Sequence, residues 1–265
     1  MKNCTLRIKE YFWPKDRPLY LHECFLVSNK FLIFLRMFLF LFSFGIYTQT
    51  NINVGSFYKN FMYLTYWGEI LTMSTFLTLL VDNILHIQGY YRELKNEESH
   101  LSRAAHLLFE IAFSYELAIV LLFWFAVYPT QTDARTSFYY TTNVLVHGIC
   151  LTLLWIENIF NFIEFFPRHI IILVIFAIAY SIDNAIVVFC INFDYVYTVL
   201  TWTDVLSYIY VIGCILVSFL HFFIGWFLFR KWKVKRWGSL IKKSYDMAPG
   251  SPSSFEMERK PSLKK

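Results

Sequence analysis

Ionisable side chains inside strongly apolar stretches are the residues of this sequence best placed to do chemistry. A charged group in hydrocarbon costs several kcal/mol unless it is paired or hydrated, so such residues face the interior of a helix bundle and often mark a functional site. They could also simply join helices by hydrogen bonds, at about 1 kcal/mol each. The residues concerned are Glu69, Asp82, Glu110, Glu116, His147, Glu157, Glu164, Asp183 and His221.

The fourth apolar stretch arranges its polar residues along one line. Positions spaced alternately by four and three residues share one face of an α-helix. Five of the seven side chains on this face are polar or charged, so the face cannot contact lipid and must meet a polar cavity or other helices. The seven residues are Asn143, His147, Cys150, Leu154, Glu157, Asn161 and Glu164.

The second apolar stretch carries a shorter polar face, made of Thr65, Glu69 and Thr72. If this stretch and the fourth both begin on the non-cytosolic side, Thr65 lies roughly 6 Å and His147 roughly 14 Å into its helix. These depths are similar enough to allow contact between the two side chains in the outer half of the membrane.

The segments that position these residues have the composition of a polytopic membrane protein. Hydrophobic residues make up 57% of the 265 residues and charged residues only 16%, with a mean hydropathy of +0.46. Continuous runs of about 20 apolar residues predict transmembrane helices rather than barrel strands. We expect an all-α bundle of about six spans, or one span fewer if the fourth and fifth stretches form a re-entrant pair. The predicted spans are Phe25–Tyr47, Phe61–Ile87, His106–Tyr128, Phe138–Phe166, Ile170–Phe193 and Val205–Phe229.

The distribution of Lys and Arg predicts that both termini are cytosolic. Twenty-one of these residues fall on one side of the predicted spans, against Lys59 and Arg135 on the other, and Arg36 lies inside the first span. The chain then divides into a cytosolic segment (1–24), the membrane domain (25–229), a basic and aromatic juxtamembrane segment (230–246) and a disordered tail (247–265).

The remaining features narrow the class of protein. The net charge of +5 comes from basic residues at span ends and in the tail, which indicates contact with anionic lipids rather than nucleic acid. The five cysteines show no metal-binding spacing and are expected to be buried free thiols. No cleavable signal or transit peptide is evident, which favours the endoplasmic reticulum or the plasma membrane. The sequence identifies no protein partner.

An ordered set of short motifs resembles the androgen-induced and androgen-dependent membrane hydrolases, which cleave fatty acid esters of hydroxy fatty acids. One motif is Tyr63-Leu64-Thr65. A second is Asn143 four residues before His147, followed by Glu157 and the Pro167-Arg168 turn. A third is Val196-Tyr197-Thr198-Val199-Leu200, followed by Trp202. The resemblance covers roughly residues 25–230.

The resemblance implies an intramembrane lipid ester hydrolase in which Thr65 is the nucleophile and His147 its general base. The candidates for orienting the imidazole or stabilising the oxyanion are Asn143, Glu157, Glu69 and Asp183. The implied substrate is a long-chain lipid ester that reaches the site from the bilayer, and neither a metal nor an organic cofactor is needed.

Three positions differ from the family pattern, which has histidine, threonine and proline where this chain has Val144, Gly148 and Thr152. These differences keep open a non-catalytic protein, either a degenerate family member or a structural subunit of a membrane complex. A transporter that uses the acidic residues for protons or cations is a further alternative. The scarcity of Gly and Pro and the absence of an inverted repeat argue against it.

Overall fold

The computed structural model describes residue 13 and residues 27–54, 60–89, 99–130, 137–191, 197 and 199–233. Throughout these residues the chain forms helices and connecting turns, and no strand occurs among them. The α-helices are α1 (Asn29–Val54), α2 (Leu64–Ile87), α3 (His100–Leu122), α4 (Ser137–Val144), α5 (Cys150–Phe160), α6 (Ile170–Cys190) and α7 (Val205–Leu228).

Five helical segments are long and apolar enough to cross a membrane: Asn29–Ile52, Leu64–Ile87, His100–Val127, Pro167–Cys190 and Val205–Lys233. Between the third and fourth of these, α4 and α5 are joined by a π-helical turn, Leu145–Ile149. Residues 137–160 therefore form one continuous helical path, which at 1.5 Å per residue measures roughly 36 Å, enough to cross hydrocarbon about 30 Å thick. The prediction of an all-α polytopic bundle is confirmed.

The segment between α5 and α6 corrects the predicted fourth span, which was expected to continue to Phe166. The α5 helix ends at Phe160, and Asn161 is extended, with φ −93° and ψ 171°. The side chain of Asn161 accepts a hydrogen bond from the Ile163 amide at 3.2 Å, which stabilises the break locally. The chain then enters a 3₁₀ turn, Pro167–His169, and proline disfavours helical geometry in the residue before it.

The predicted ends of other spans also differ from those in the structure, because hydropathy marks the lipid core rather than the ends of helices. The α1 helix continues to Val54 through a polar stretch, and α3 begins at His100. Ser99 caps α3 by accepting a hydrogen bond from the Ser102 amide at 2.9 Å. Nothing in hydropathy alone signals this polar first turn.

The α3 helix is the centre of the bundle. In its apolar window 56% of the residues are buried, against 22–39% in the other four long segments. It packs against α2, α5 and α7 around buried aromatic residues such as Phe109, Phe113 and Phe165. A Cβ atom added at Gly68 would lie 2.6 Å from Oε1 of Glu116 and from Cδ1 of Ile119, so this glycine allows α2 and α3 to approach closely.

The α7 helix is followed by a π-helical turn, Phe229–Lys233, whose last four residues begin the predicted juxtamembrane segment. The ammonium group of Lys233 is buried and donates hydrogen bonds to the side chains of Asn158 and Asn161, at 3.1 and 3.2 Å. The rest of the juxtamembrane segment, the tail and, apart from Trp13, the N-terminal segment lie outside the described residues. The cytosolic location of the termini stays a prediction.

Candidate active site

The hydroxyl of Thr65 and the imidazole of His147, which are 82 residues apart in sequence, are in direct contact. Oγ1 of Thr65 lies 3.1 Å from Nδ1 of His147. If the ring proton is on Nε2, Nδ1 accepts the hydroxyl hydrogen bond, which is the arrangement a general base requires. Thr65 is the second residue of α2, so it lies nearer the helix end than its predicted depth of about four residues. The contact that the similar depths allowed is present, and its catalytic role stays a prediction.

Two π-helical turns face each other at this contact. His147 lies in the turn Leu145–Ile149, and the turn Phe123–Val127 extends α3. The rings of Phe123 and His147 are stacked, with centroids 3.4 Å apart and planes 11° from parallel. Single π turns inside α-helices occur frequently at functional sites. Stacking on Phe123 fixes the plane of the imidazole and therefore the direction of Nδ1.

Two tyrosines hold the N-terminus of α2 in place. The amide of Leu64, which has no acceptor within its own helix, donates to the hydroxyl of Tyr197 at 3.0 Å. The hydroxyl of Tyr180 donates to the carbonyl oxygen of Met62 at 3.1 Å. The Tyr197 phenol also interacts with the side chain of Thr65. A phenolic O–H and the positive end of a helix dipole therefore lie beside the Thr65 hydroxyl.

The Thr65 side chain opens into a small cavity of about 190 Å³ that Leu64, Leu122, Phe123 and Tyr197 help to line. A larger cavity of about 470 Å³ shares the walls Leu64 and Leu122 and extends between α6 and α7. Its lining is mainly apolar. The Thr65 hydroxyl therefore lies beside space with a mainly apolar lining.

Trp202, shortly before α7, is one of the residues that line the larger cavity. Trp202 has a positive φ of 59°, which is rare for a bulky residue, and its indole N–H donates to the Asn184 side chain at 2.8 Å. Asp204 caps α7 by accepting from the Ser207 amide at 2.9 Å. Hydrogen bonds from Thr201 and Ser207 lower the pKa of this exposed carboxyl.

Asn143 lies near His147 in sequence but on the other side of the junction between α4 and the π turn. It is 8% exposed, and its Nδ2 has no hydrogen-bond partner among the described residues. An amide donor buried without a partner is costly, which marks this N–H as available to a ligand. The structure leaves Asn143 as a candidate donor for an oxyanion.

Glu157 does not occupy the position that an orienting residue needs. Its Oε1 accepts hydrogen bonds from Nε and Nη2 of Arg36, at 3.0 and 2.8 Å, and both side chains are fully buried. Glu157 is also ten residues after His147 along the same helical path, about 15 Å farther along its axis. The predicted orienting role of Glu157 is therefore wrong, because its carboxylate neutralises Arg36 instead.

The two other acidic candidates have different surroundings. Glu69 is one turn after Thr65 on α2, is 1% exposed, and accepts a hydrogen bond from Thr50 at 2.9 Å. The second carboxylate oxygen of Glu69 has no hydrogen-bond partner among the described residues. Asp183 lies on α6, and one of its carboxylate oxygens is likewise buried without a partner among these residues. Neither carboxylate makes a hydrogen bond to His147 in the described structure, so the roles of Glu69 and Asp183 stay predictions.

Sequence reasoning did not select Tyr197, Tyr180 or Phe123 as site residues. Tyr197 belongs to the Val196–Leu200 motif on which the resemblance rests, but nothing in the sequence predicts its contact with the end of α2. The stacking of Phe123 has no signal in the sequence, since the chain contains 29 phenylalanines.

The chain was compared with protein-family models, curated proteins and solved structures, and none of the three comparisons finds a match.

Proposed function

We propose that the protein is an intramembrane hydrolase of lipid esters with Thr65 as nucleophile and His147 as general base. The contact of 3.1 Å between Oγ1 and Nδ1 carries the proposal, because it joins a nucleophile and a base beside an apolar cavity in a membrane bundle. The resemblance to the hydrolases of fatty acid esters of hydroxy fatty acids supports the same assignment. The proposed location is the endoplasmic reticulum or the plasma membrane.

In the first step Nδ1 of His147 takes the Thr65 proton while Oγ1 attacks the ester carbonyl carbon. The carbonyl oxygen becomes an oxyanion in the tetrahedral intermediate. The intermediate collapses when the ester C–O bond breaks, and the imidazolium gives its proton to the departing alcohol. Thr65 then carries the acyl group.

In the second step a water molecule replaces the alcohol. His147 takes a proton from the water, the hydroxide attacks the acyl carbon, and the Thr65 oxygen leaves with that proton. Developing negative charge in both steps would be stabilised by the Tyr197 hydroxyl, by Nδ2 of Asn143 and by the N-terminal end of α2. The products are a carboxylic acid and a hydroxylated lipid.

The form of the site favours a long-chain substrate. The mainly apolar cavity of about 470 Å³ between α6 and α7 adjoins the Thr65 cavity. An acyl chain in the larger space would leave its ester carbonyl near Thr65. Burial of each CH₂ group contributes about 0.8 kcal/mol, so chain length should raise affinity until the cavity is filled.

The test is hydrolysis of a branched fatty acid ester of a hydroxy fatty acid by purified protein in detergent. The variants are Thr65→Ala, Thr65→Ser and His147→Ala. The matched control is Thr75→Ala, because Thr75 is also buried on α2 but its hydroxyl bonds only to the Leu71 carbonyl of its own helix, at 2.7 Å. Helical circular dichroism and elution volume establish that each variant is folded.

We expect Thr65→Ala and His147→Ala to abolish turnover, and Thr65→Ser and Thr75→Ala to retain it. A fluorophosphonate probe should label the wild-type protein and should not label Thr65→Ala. Turnover that survives both alanine substitutions would refute the mechanism. A folded protein that hydrolyses no ester in a panel of lipid esters, and that co-purifies with other subunits, would instead favour the structural role.

A further inference from the structure

A second cluster of buried polar residues lies at the predicted cytosolic end of the bundle. It consists of His106 and Glu110, four residues apart on α3, and His169 in the 3₁₀ turn before α6. Nε2 of His106 lies 3.3 Å from Oε1 of Glu110, and Nδ1 of His169 contacts Oε2 of the same carboxylate. Each of the three residues is 1% exposed. Two imidazoles thus converge on one carboxylate in a closed site.

The mechanism proposed above does not use this cluster. Along the axis of α3, Glu110 is 13 residues from Phe123, which stacks on His147, so the two sites are separated by roughly 20 Å. Two aromatic rings pack against the cluster. The Phe166 ring stacks on His106 with planes 4° apart, and the Trp13 ring meets both imidazoles edge to face.

The protein contacts satisfy the His106 ring only in part. Its Nε2 meets Glu110 in the contact of 3.3 Å, and its Nδ1 has no hydrogen-bond partner among the described residues, although the side chain is almost completely buried. Burial of an imidazole in this state costs free energy that a ligand would recover. The Glu110 carboxylate is already held in place by the protein, because the Phe166 amide donates a hydrogen bond to its Oε1 at 2.7 Å.

We propose that His106, Glu110 and His169 bind a divalent transition-metal ion, with Zn²⁺ as the best match. Two imidazole nitrogens and one carboxylate oxygen are a ligand set that Zn²⁺ accepts in a tetrahedral site, with water or another donor in the fourth position. The three ligand atoms lie within 4.8 Å of one another. Ligands around tetrahedral zinc are about 3.3 Å apart at bond lengths of 2.0–2.1 Å, so small side-chain rotations suffice.

Metal binding would join three parts of the chain that are distant in sequence. The ligands link α3 to the turn before α6, and Trp13 covers the site. Because metal ligands must be deprotonated, binding should weaken as the pH falls. Because the ion binds only the assembled ends of the helices, zinc should raise the thermal stability of the protein.

The test measures zinc in the full-length protein purified without a polyhistidine tag and stripped with a chelator. Zinc chloride is added, unbound ion is removed, and the zinc per chain is determined by mass spectrometry. The variants are His106→Gln and Glu110→Gln, which keep side-chain volume close to that of the original residues. The matched control is His221→Gln, because His221 is equally buried, at 1%, but stacks on Phe113 away from the cluster.

We expect one zinc ion per wild-type chain and per His221→Gln chain, and far less in the two cluster variants. Cobalt in place of zinc should give the visible spectrum of a tetrahedral site without thiolate ligands. Folded wild-type protein that retains no zinc would overturn the proposal and would identify the cluster as hydrogen-bonded through a proton. Equal zinc in His106→Gln and wild type would overturn it as well. Neither outcome bears on ester hydrolysis, which is measured separately.

Discussion

Arg36 and Glu157, 121 residues apart in sequence, form an ion pair with Nη2 and Oε1 at 2.8 Å and both side chains fully buried. Arg36 was predicted to lie inside the first span, and Glu157 supplies its counter-charge from α5. A third nitrogen of Arg36, Nη1, donates to the Leu79 carbonyl at 3.3 Å. The pair therefore connects α1, α2 and α5.

Removal of one partner should strongly destabilise the bundle. We expect Arg36→Leu to lower the free energy of unfolding by roughly 3–5 kcal/mol, because Glu157 would keep an uncompensated buried charge. Unfolding in mixed detergent, followed by circular dichroism, measures the effect. Arg36→Leu combined with Glu157→Leu should restore much of the loss.

The control for this prediction is Arg230→Leu. Arg230 pairs with Glu164 at 3.2 Å, but its side chain is 43% exposed. The expected loss is therefore at most about 1 kcal/mol. Equal effects of Arg36→Leu and Arg230→Leu would contradict the assigned role of the buried pair.

Tyr197→Phe tests the hydroxyl beside Thr65. If this hydroxyl stabilises the oxyanion, kcat should fall roughly 10²–10³-fold with little change in KM. Tyr66→Phe is the matched control, since Tyr66 is also buried but its hydroxyl bonds to Tyr47 and Asn51 instead. Steady-state kinetics on folded protein separates the two. A Tyr197→Phe variant with the kcat of the wild type would exclude the phenol as an oxyanion donor.

Gly68→Ala tests the close approach of α2 and α3. The new Cβ atom would lie 2.6 Å from side-chain atoms of Glu116 and Ile119, so we expect a destabilisation of roughly 1–3 kcal/mol. At Gly213 no atom lies within 4 Å of an added Cβ, and Gly213→Ala should be neutral or stabilising by roughly 0.5–1 kcal/mol. Thermal unfolding of the two variants side by side provides the comparison. A Gly68→Ala variant as stable as wild type would show that the helices can separate without cost.

Ala177→Phe tests the apolar cavity between α6 and α7. Ala177 lines this cavity and is 8% exposed. A phenyl group there should fill part of the space, so kcat/KM should fall for long acyl chains and be retained for short ones. Hydrolysis of a series of esters of increasing acyl length measures the change, and each short ester serves as the control for the long ones. Parallel losses for all lengths would place the acyl chain elsewhere.

The cap of α7 gives a prediction about pH. Hydrogen bonds from Thr201 and Ser207 lower the pKa of Asp204, so the cap stabilises α7 above the usual carboxyl range and should be lost as the pH falls through the lowered pKa. Trp202 lies two residues before Asp204, so its fluorescence should change when the cap is lost. The Trp202 signal is the difference between the fluorescence of the wild type and that of Trp202→Phe. In Asp204→Asn, which keeps an acceptor but does not titrate, the transition should disappear. A transition that persists in this variant would assign it to another group.

Much of the bundle could be predicted from the sequence because hydrophobic length and polar spacing are local properties. The face containing Asn143, Cys150, Leu154 and Glu157 is buried, as its spacing predicted. The end of α5 could not be predicted from hydropathy, because residues 161–166 are almost as apolar as the helix before them. The break depends on the Asn161 side chain and on Pro167.

Part of the candidate site could also be predicted from the sequence. Thr65 and His147 were selected from the resemblance, and similar depths allowed their contact. The partner of Glu157 could not be inferred, since the choice between His147 and Arg36 depends on which helices are neighbours. The cluster of His106, Glu110 and His169 needs the same knowledge, because its third member comes from a turn 59 residues after Glu110.

The π turn at His147 makes the site depend on chain length as well as on residue identity. A π turn accommodates one residue more than the α-helical geometry on either side of it. Deletion of a single residue between 145 and 149 would restore a regular helix and leave the flanking helices in phase, but it would change the angular position of His147 on the helix. Thus even the deletion of Ile149 alone would separate the Thr65 hydroxyl from the His147 imidazole. In alignments of this segment, gaps deserve the same weight as substitutions.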